Sequence, residues 1–164
     1  ELLETLGARV VRLPVDEGLS RLVSTHAKIH EFEIWMHNKQ MFTDNWDQLS
    51  PTLQAVLERS RAITLSEYED ALGAKQSAEA FFAEFFHEYD AVIAPAAAGE
   101  APLFGSGTGD PVFNTIWTLC GLPSVTMPML VGESGLPIGV QLIGNVEEDD
   151  RLLRTANWML GETH

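Results

Sequence analysis

Asp110-Pro111-Val112-Phe113-Asn114-Thr115-Ile116-Trp117-Thr118-Leu119-Cys120-Gly121-Leu122-Pro123-Ser124-Val125-Thr126-Met127-Pro128 leads, through a turn, into Gly135-Leu136-Pro137-Ile138-Gly139-Val140-Gln141-Leu142-Ile143. Glycine and proline punctuate this stretch where the backbone must turn, and each demands a particular conformation there. Between them, Phe113 to Cys120 has the spacing of a short helix, and Ser124 to Met127 is a strand between two prolines. Ile138 to Ile143 is a second strand, joined to the first by the turn Val131-Gly132-Glu133-Ser134-Gly135 as a hairpin.

Upstream, Asp90 to Pro95 is a short apolar run closed by proline, the mark of a buried strand. Ala96 to Gly109 is rich in Gly, Ala and Pro, lacks periodicity and reads as a loop. The residues before it carry three helical patterns. One runs from about Leu19 to Phe42. A second starts at the Ser50-Pro51 cap, where proline suits the first helical position. A third is opened by the capping-box pattern Ser66-Glu67-Tyr68-Glu69 and continues to about Tyr89. At the start, a short helix ended by Gly7 precedes a strand over Ala8 to Leu13 that Pro14 stops. A last helix begins at Asp149 and Asp150, acids favoured at a helix N-terminus, and is ended by Gly161. Helices alternating with strands predict one α/β unit over residues 1–164, with helices on a mixed sheet of about four strands near 8–13, 91–94, 124–127 and 138–143.

Composition excludes some functions. Among 164 residues, 24 acids face 10 Lys and Arg, a formal net charge of −14. Such a balance opposes binding to nucleic acid, whose phosphates need cationic partners, and to an anionic membrane surface. No apolar run is long enough to span a bilayer, and no basic stretch ahead of an apolar one marks a secretory leader. The single cysteine, Cys120, has no internal disulfide partner and fits a reducing, cytoplasmic setting.

Residue chemistry offers no complete catalytic set. Gly105-Ser106-Gly107-Thr108-Gly109 lacks the Lys-Ser/Thr of a phosphate loop and is followed by an acid, so it reads as flexible loop. His26 and His30 have the i, i+4 spacing of a helical zinc pair, but position 27 is Ala and no third ligand is evident, so no metal is assigned. Cys120 lies between Leu119 and Gly121 with no cation in its sequence neighbourhood, and reads as a small core hydrophobe. Phe81, Phe82, Phe85 and Phe86 form a helical stripe of the kind that fills cores.

The opening stretch resembles the late block of the amidase-signature family. That family's pattern Phe-Asn-x-x-Trp-Thr-x-x-Gly-x-Pro-x-x-x-x-Pro, followed by Gly-Leu-Pro-x-Gly-x-Gln, is carried here by Phe113, Asn114, Trp117, Thr118, Gly121, Pro123, Pro128, Gly135, Leu136, Pro137, Gly139 and Gln141. Tyr89-Asp90 through Pro95 and the closing Asp149 to Met159 helix are similar to further family segments. Leu2 to Pro14 looks like the segment that follows the family's catalytic region.

The resemblance implies the C-terminal part of an amide hydrolase whose Ser–cis-Ser–Lys triad lies in an N-terminal portion absent from this chain. The lysines here are Lys28, Lys39 and Lys75, none in a strand and none accompanied by a Gly/Ser-rich oxyanion loop, so no catalytic residue carries over and the chain alone is expected to be inert. The resemblance also implies one wall of a pocket for a small-molecule amide, formed by Asp110, Phe113, Asn114 and Trp117, with Thr118 and Cys120 ranked behind them, and no cofactor. Two alternatives are the A subunit of a glutamine-dependent tRNA amidotransferase and a partner-binding domain without catalysis. Asp110 is near, but out of register with, the acid that reads the substrate amino group in those amidotransferases. A sheet lacking its upstream strands is expected to self-associate through its exposed edge.

Overall fold

The computed structural model describes residues 2–14 and 17–162. In order, the elements are α1 (Leu2–Thr5), α2 (Glu17–Asp44), a single 3₁₀ turn (Trp46–Gln48), α3 (Pro51–Ala62), α4 (Leu65–Glu88), β1 (Val92–Pro95), α5 (Val112–Leu119), β2 (Ser124–Val131), β3 (Pro137–Ile143) and α6 (Asp149–Glu162).

Local chemistry sets several of these boundaries. Ser50 caps α3 by accepting from Leu53 N–H. The capping box of α4 is formed by Thr64 and Glu67, with the Thr64 hydroxyl accepting from Glu67 N–H and the Glu67 carboxylate from Thr64 N–H. The helix therefore starts two residues earlier than the Ser66–Glu69 pattern predicts. After α5, Gly121 (φ 64°) takes the left-handed turn. Gly121 N–H then bonds to Thr118 O and Leu122 N–H to Trp117 O, the paired bonds that close a helix end on glycine. Gly161 does not end α6, which runs on to Glu162.

The sheet has the order β1-β3-β2 and is antiparallel throughout. Two expectations are corrected here. The sheet is not mixed, and it has three strands among the described residues, because Ala8 to Leu13 is not a strand. An extended segment becomes a strand only beside a partner that takes up its N–H and C=O groups. Among the described residues none lies alongside Ala8–Leu13, and Val10 and Val11 stay exposed. Instead, Arg9 pairs with Glu88 (3.0 Å) and stacks on the Tyr89 ring (5.0 Å), tying the segment to the end of α4.

β3 is the central strand, and alternate side chains feed two cores. On one face Ile143 joins Leu22, Ile29, Ala78, Phe82, Phe86 and Leu119 from α2, α4 and α5. On the other, Leu142 and Met127 pack against Leu152, Ala156 and Met159 of α6. Arg151 locks α6 to the α4–β1 junction, pairing with Asp90 (2.9 Å) and Glu148 (3.0 Å) and donating to Phe86 O (3.3 Å). β2 and β3 lose register between Met127 and Leu130. Pro128, which has no N–H for the ladder, sits in that bulge. Gly139 is required by packing, since a Cβ there would lie 2.6 Å from Thr126 Cγ2 and 3.0 Å from Ala96 Cβ.

Candidate substrate-binding wall

The block around Asp110 is assembled by one side chain. Gln141 Nε2 donates to Pro95 O (2.9 Å) and to Phe113 O (2.7 Å). A glutamine on the central strand thereby fixes both the end of β1 and the first turn of α5. Ala96 N–H bonds to Gly139 O (2.9 Å), and Asn114 Nδ2 reaches Ala96 O (3.3 Å). Asp110 Oδ1 accepts from Val112 N–H (2.9 Å), placing its charge at the positive end of α5.

Between α5 and α2 lies an open cavity of about 390 Å³, lined by Val23, His26, Ala27, Asp110, Pro111, Val112, Asn114, Thr115 and Thr118. Asp110 and Asn114, both expected from the sequence, meet there. Phe113 and Trp117 lie about a quarter-turn away around α5. Trp117 stacks edge-on against Phe82 (5.7 Å between centroids), and its buried Nε1 has no hydrogen-bond acceptor among the described residues. His26 and Thr115 line the cavity without being expected from the sequence, whereas Thr118, ranked there behind the first four, does line it and Cys120 does not. A helical projection of α5 places 111, 114, 115 and 118 on one face, a signal that locates Thr115 and Thr118 but not His26, which comes from a distant helix.

Among the described residues, the lining of this cavity contains no serine, lysine or cysteine. The Thr115 hydroxyl donates to Pro111 O in its own helix (3.0 Å). Burial, and then the neighbouring charge of His30, hold His26 below the ordinary imidazole range. The two imidazoles stack at 5.9 Å. Among the described residues no three His, Cys, Asp or Glu side chains converge to hold a metal ion. Lys28 and Lys39 lie on α2, and Lys75 of α4 pairs with Glu79. Burial pushes the Cys120 thiol up to about 11, with Glu79 adding to this and Lys75 opposing it. A cation therefore does act on Cys120, from a helix distant in sequence, but burial outweighs it. Among the described residues, no helix is long and apolar enough to cross a membrane.

Residues 11–153 match the family model described as Amidase. The chain belongs to the amidase family. Among solved amidases, one described as "Crystal structure of amidase" superposes with a TM-score of 0.82 at 21% identity, covering 97% of this chain and 39% of that one. The A subunit of the glutamyl-tRNA(Gln) amidotransferase of Thermotoga maritima superposes with a TM-score of 0.73 at 25% identity, covering 93% of this chain and 34% of its own. By sequence, this amidase-family chain is 35% identical over 96 residues to the A subunit of the glutamyl-tRNA(Gln) amidotransferase of Agathobacter rectalis, 54% of this chain and 19% of that protein. It thus spans about a fifth of the curated relatives it matches and about two-fifths of the solved amidases.

Proposed function

We propose that this chain is the C-terminal part of a longer amide hydrolase, which converts a carboxylic amide and water into an acid and ammonia or an amine. The observation that carries this reading is a family match over residues 11–153 that comes with a formed pocket wall and no reacting group in it. In this reading a Ser–cis-Ser–Lys triad lies outside residues 1–164. Asp110 and Asn114 form the wall nearest the substrate, with Phe113 and Trp117 supporting it from the adjoining face. The longer protein works in the cytoplasm, on a small amide, without a cofactor, nucleic acid or membrane. Taken alone, the chain self-associates through β1 or β2, the outer strands of its sheet.

Hydrolysis of small primary amides, followed as ammonia release, tests this reading. The longer protein should turn over at least one such amide, and the 164-residue chain none. In the longer protein Asn114→Ala should raise KM roughly tenfold and leave kcat within about threefold, the signature of lost uniform binding. Turnover by the chain alone, or none by the longer protein, would contradict it. The similarity to amidotransferase A subunits supports a second reading, in which the longer protein serves that role. A different polypeptide co-purifying with it, together with glutaminase activity, would favour that alternative.

A further inference from the structure

We propose that Glu100 is a positioning residue, whose carboxylate holds the loop leading to Asp110 against the β2–β3 turn. Its Oε1 accepts from Ser134 N–H (2.9 Å) and from Leu136 N–H (3.0 Å), and its Oε2 from Ser134 N–H (3.2 Å). The turn is itself closed by Gly132 N–H to Leu136 O (2.9 Å) and Gly135 N–H to Gly132 O (3.1 Å). Backbone N–H groups converging in a turn form a pocket for an anion, and here a side chain of the same protein fills it. The Ser134 hydroxyl above all, with the Leu136 and Ser134 N–H groups, holds this carboxyl below the usual range although partial burial opposes it.

Position 132 shows how closely the two segments are fitted. A Cβ on Gly132 would lie 2.2 Å from Glu100 Cγ and 2.3 Å from both Cδ and Oε1. Gly132 does not have a left-handed φ, so the glycine there answers to the Glu100 side chain and not to backbone strain.

The loop depends on this contact. At its start, Pro95 and Ala96 are tied down by Gln141, Gly139 and Asn114. At its end, Asp110 accepts from Val112 N–H at the start of α5. Among the described residues, the only hydrogen bond made by residues 101–109 is Ser106 N–H to Leu103 O, within the loop itself. Its tip, Leu103 and Phe104, is open to solvent, and Gly105, Gly107 and Gly109 all have positive φ. Glu100 is therefore the point at which an otherwise free segment is registered to the sheet. Without it, the unrestrained span lengthens from 101–109 to 97–109.

Limited thermolysin cleavage before Leu103 or Phe104 provides the test, read on Glu100→Ala, Gly132→Ala and the double variant. A charge-assisted pair of hydrogen bonds predicts cleavage about tenfold faster in Glu100→Ala. Gly132→Ala should accelerate it similarly by displacing the carboxylate, and should add nothing in the Glu100→Ala background. Glu100→Gln, which keeps one acceptor oxygen, should fall between wild type and Glu100→Ala. Hydrogen exchange at the Ser134 and Leu136 amides should rise in parallel, while the urea midpoint moves little. Unchanged cleavage in a folded Glu100→Ala, or equal acceleration by Gly132→Ala in both backgrounds, overturns the proposal. Should Glu100→Ala fail to fold, Glu100→Gln decides, and a cleavage rate equal to wild type overturns it.

Discussion

Phe82→Ala is expected to destabilise the fold by about 3–5 kcal/mol, the range for removing a fully buried phenylalanine. Phe82 is 0% exposed and stands where α4 meets α5, edge-on to Trp117 (5.7 Å) and beside Phe86 (6.4 Å). Truncation removes its buried area and leaves a cavity between two helices that other contacts hold in place. Since domains of this size are stable by only about 5–15 kcal/mol, the loss is a large share of the total. The melting temperature should fall by roughly 10 °C or more. Phe81, one residue away and 48% exposed, is the control, and Phe81→Ala should cost under about 1 kcal/mol. Urea titration of both variants separates the two cases. Equal losses would mean that the aromatic stripe of α4 is not oriented as described.

Gln141→Leu is expected to cost about 2–4 kcal/mol, although leucine nearly conserves the volume. The effect isolates hydrogen bonding, because the Pro95 and Phe113 carbonyls lose a shared donor at a site only 1% exposed. The damage should be local as well as global, with amide exchange rising at Ala96 and at the start of α5. Gln141→Glu adds a pH signature. Burial raises the folded-state pKa of the new carboxyl above its unfolded value. Stability should then be greatest in acid, where the protonated group can still donate, and should fall as pH rises through the folded pKa. A Gln141→Glu variant whose stability does not change between about pH 4 and 8 would contradict this assignment.

Much of this fold is legible in the sequence because glycine and proline state backbone demands locally. Gly121 and Pro123 mark the end of α5 and the start of β2, and the Gly-Leu-Pro at 135–137 opens β3. The misreadings occur where a distant partner decides. Ala8 to Leu13 has the composition of a strand, but strand formation depends on a neighbour, and the nearest anchors are Glu88 and Tyr89. Around α4, Thr64-x-x-Glu67 and Ser66-x-x-Glu69 are overlapping frames of one motif, and only the hydrogen bonds choose between them.

The candidate site divides in the same way. Asn114 belongs to the motif and Asp110 lies just ahead of it, while Phe113 and Trp117 share the motif without lining the cavity, since the motif also encodes core packing. His26 reaches the cavity from a helix more than 80 residues away in sequence. Glu100 stands 34 residues from the amide of Ser134 that it holds. No local pattern announces either. Gln141 does leave a trace, since a lone amide in the apolar run Val140-Gln141-Leu142-Ile143 must find partners when buried.

In the function proposed above, the reacting serine belongs to a longer amidase and lies outside this chain. A fluorophosphonate probe, which forms a covalent bond with activated serines, locates that serine when the modified residue is mapped by mass spectrometry. The longer protein should be labelled on a serine outside residues 1–164, and the 164-residue chain should not be labelled above a heat-denatured control. Stoichiometric labelling of a serine within residues 1–164 would contradict it.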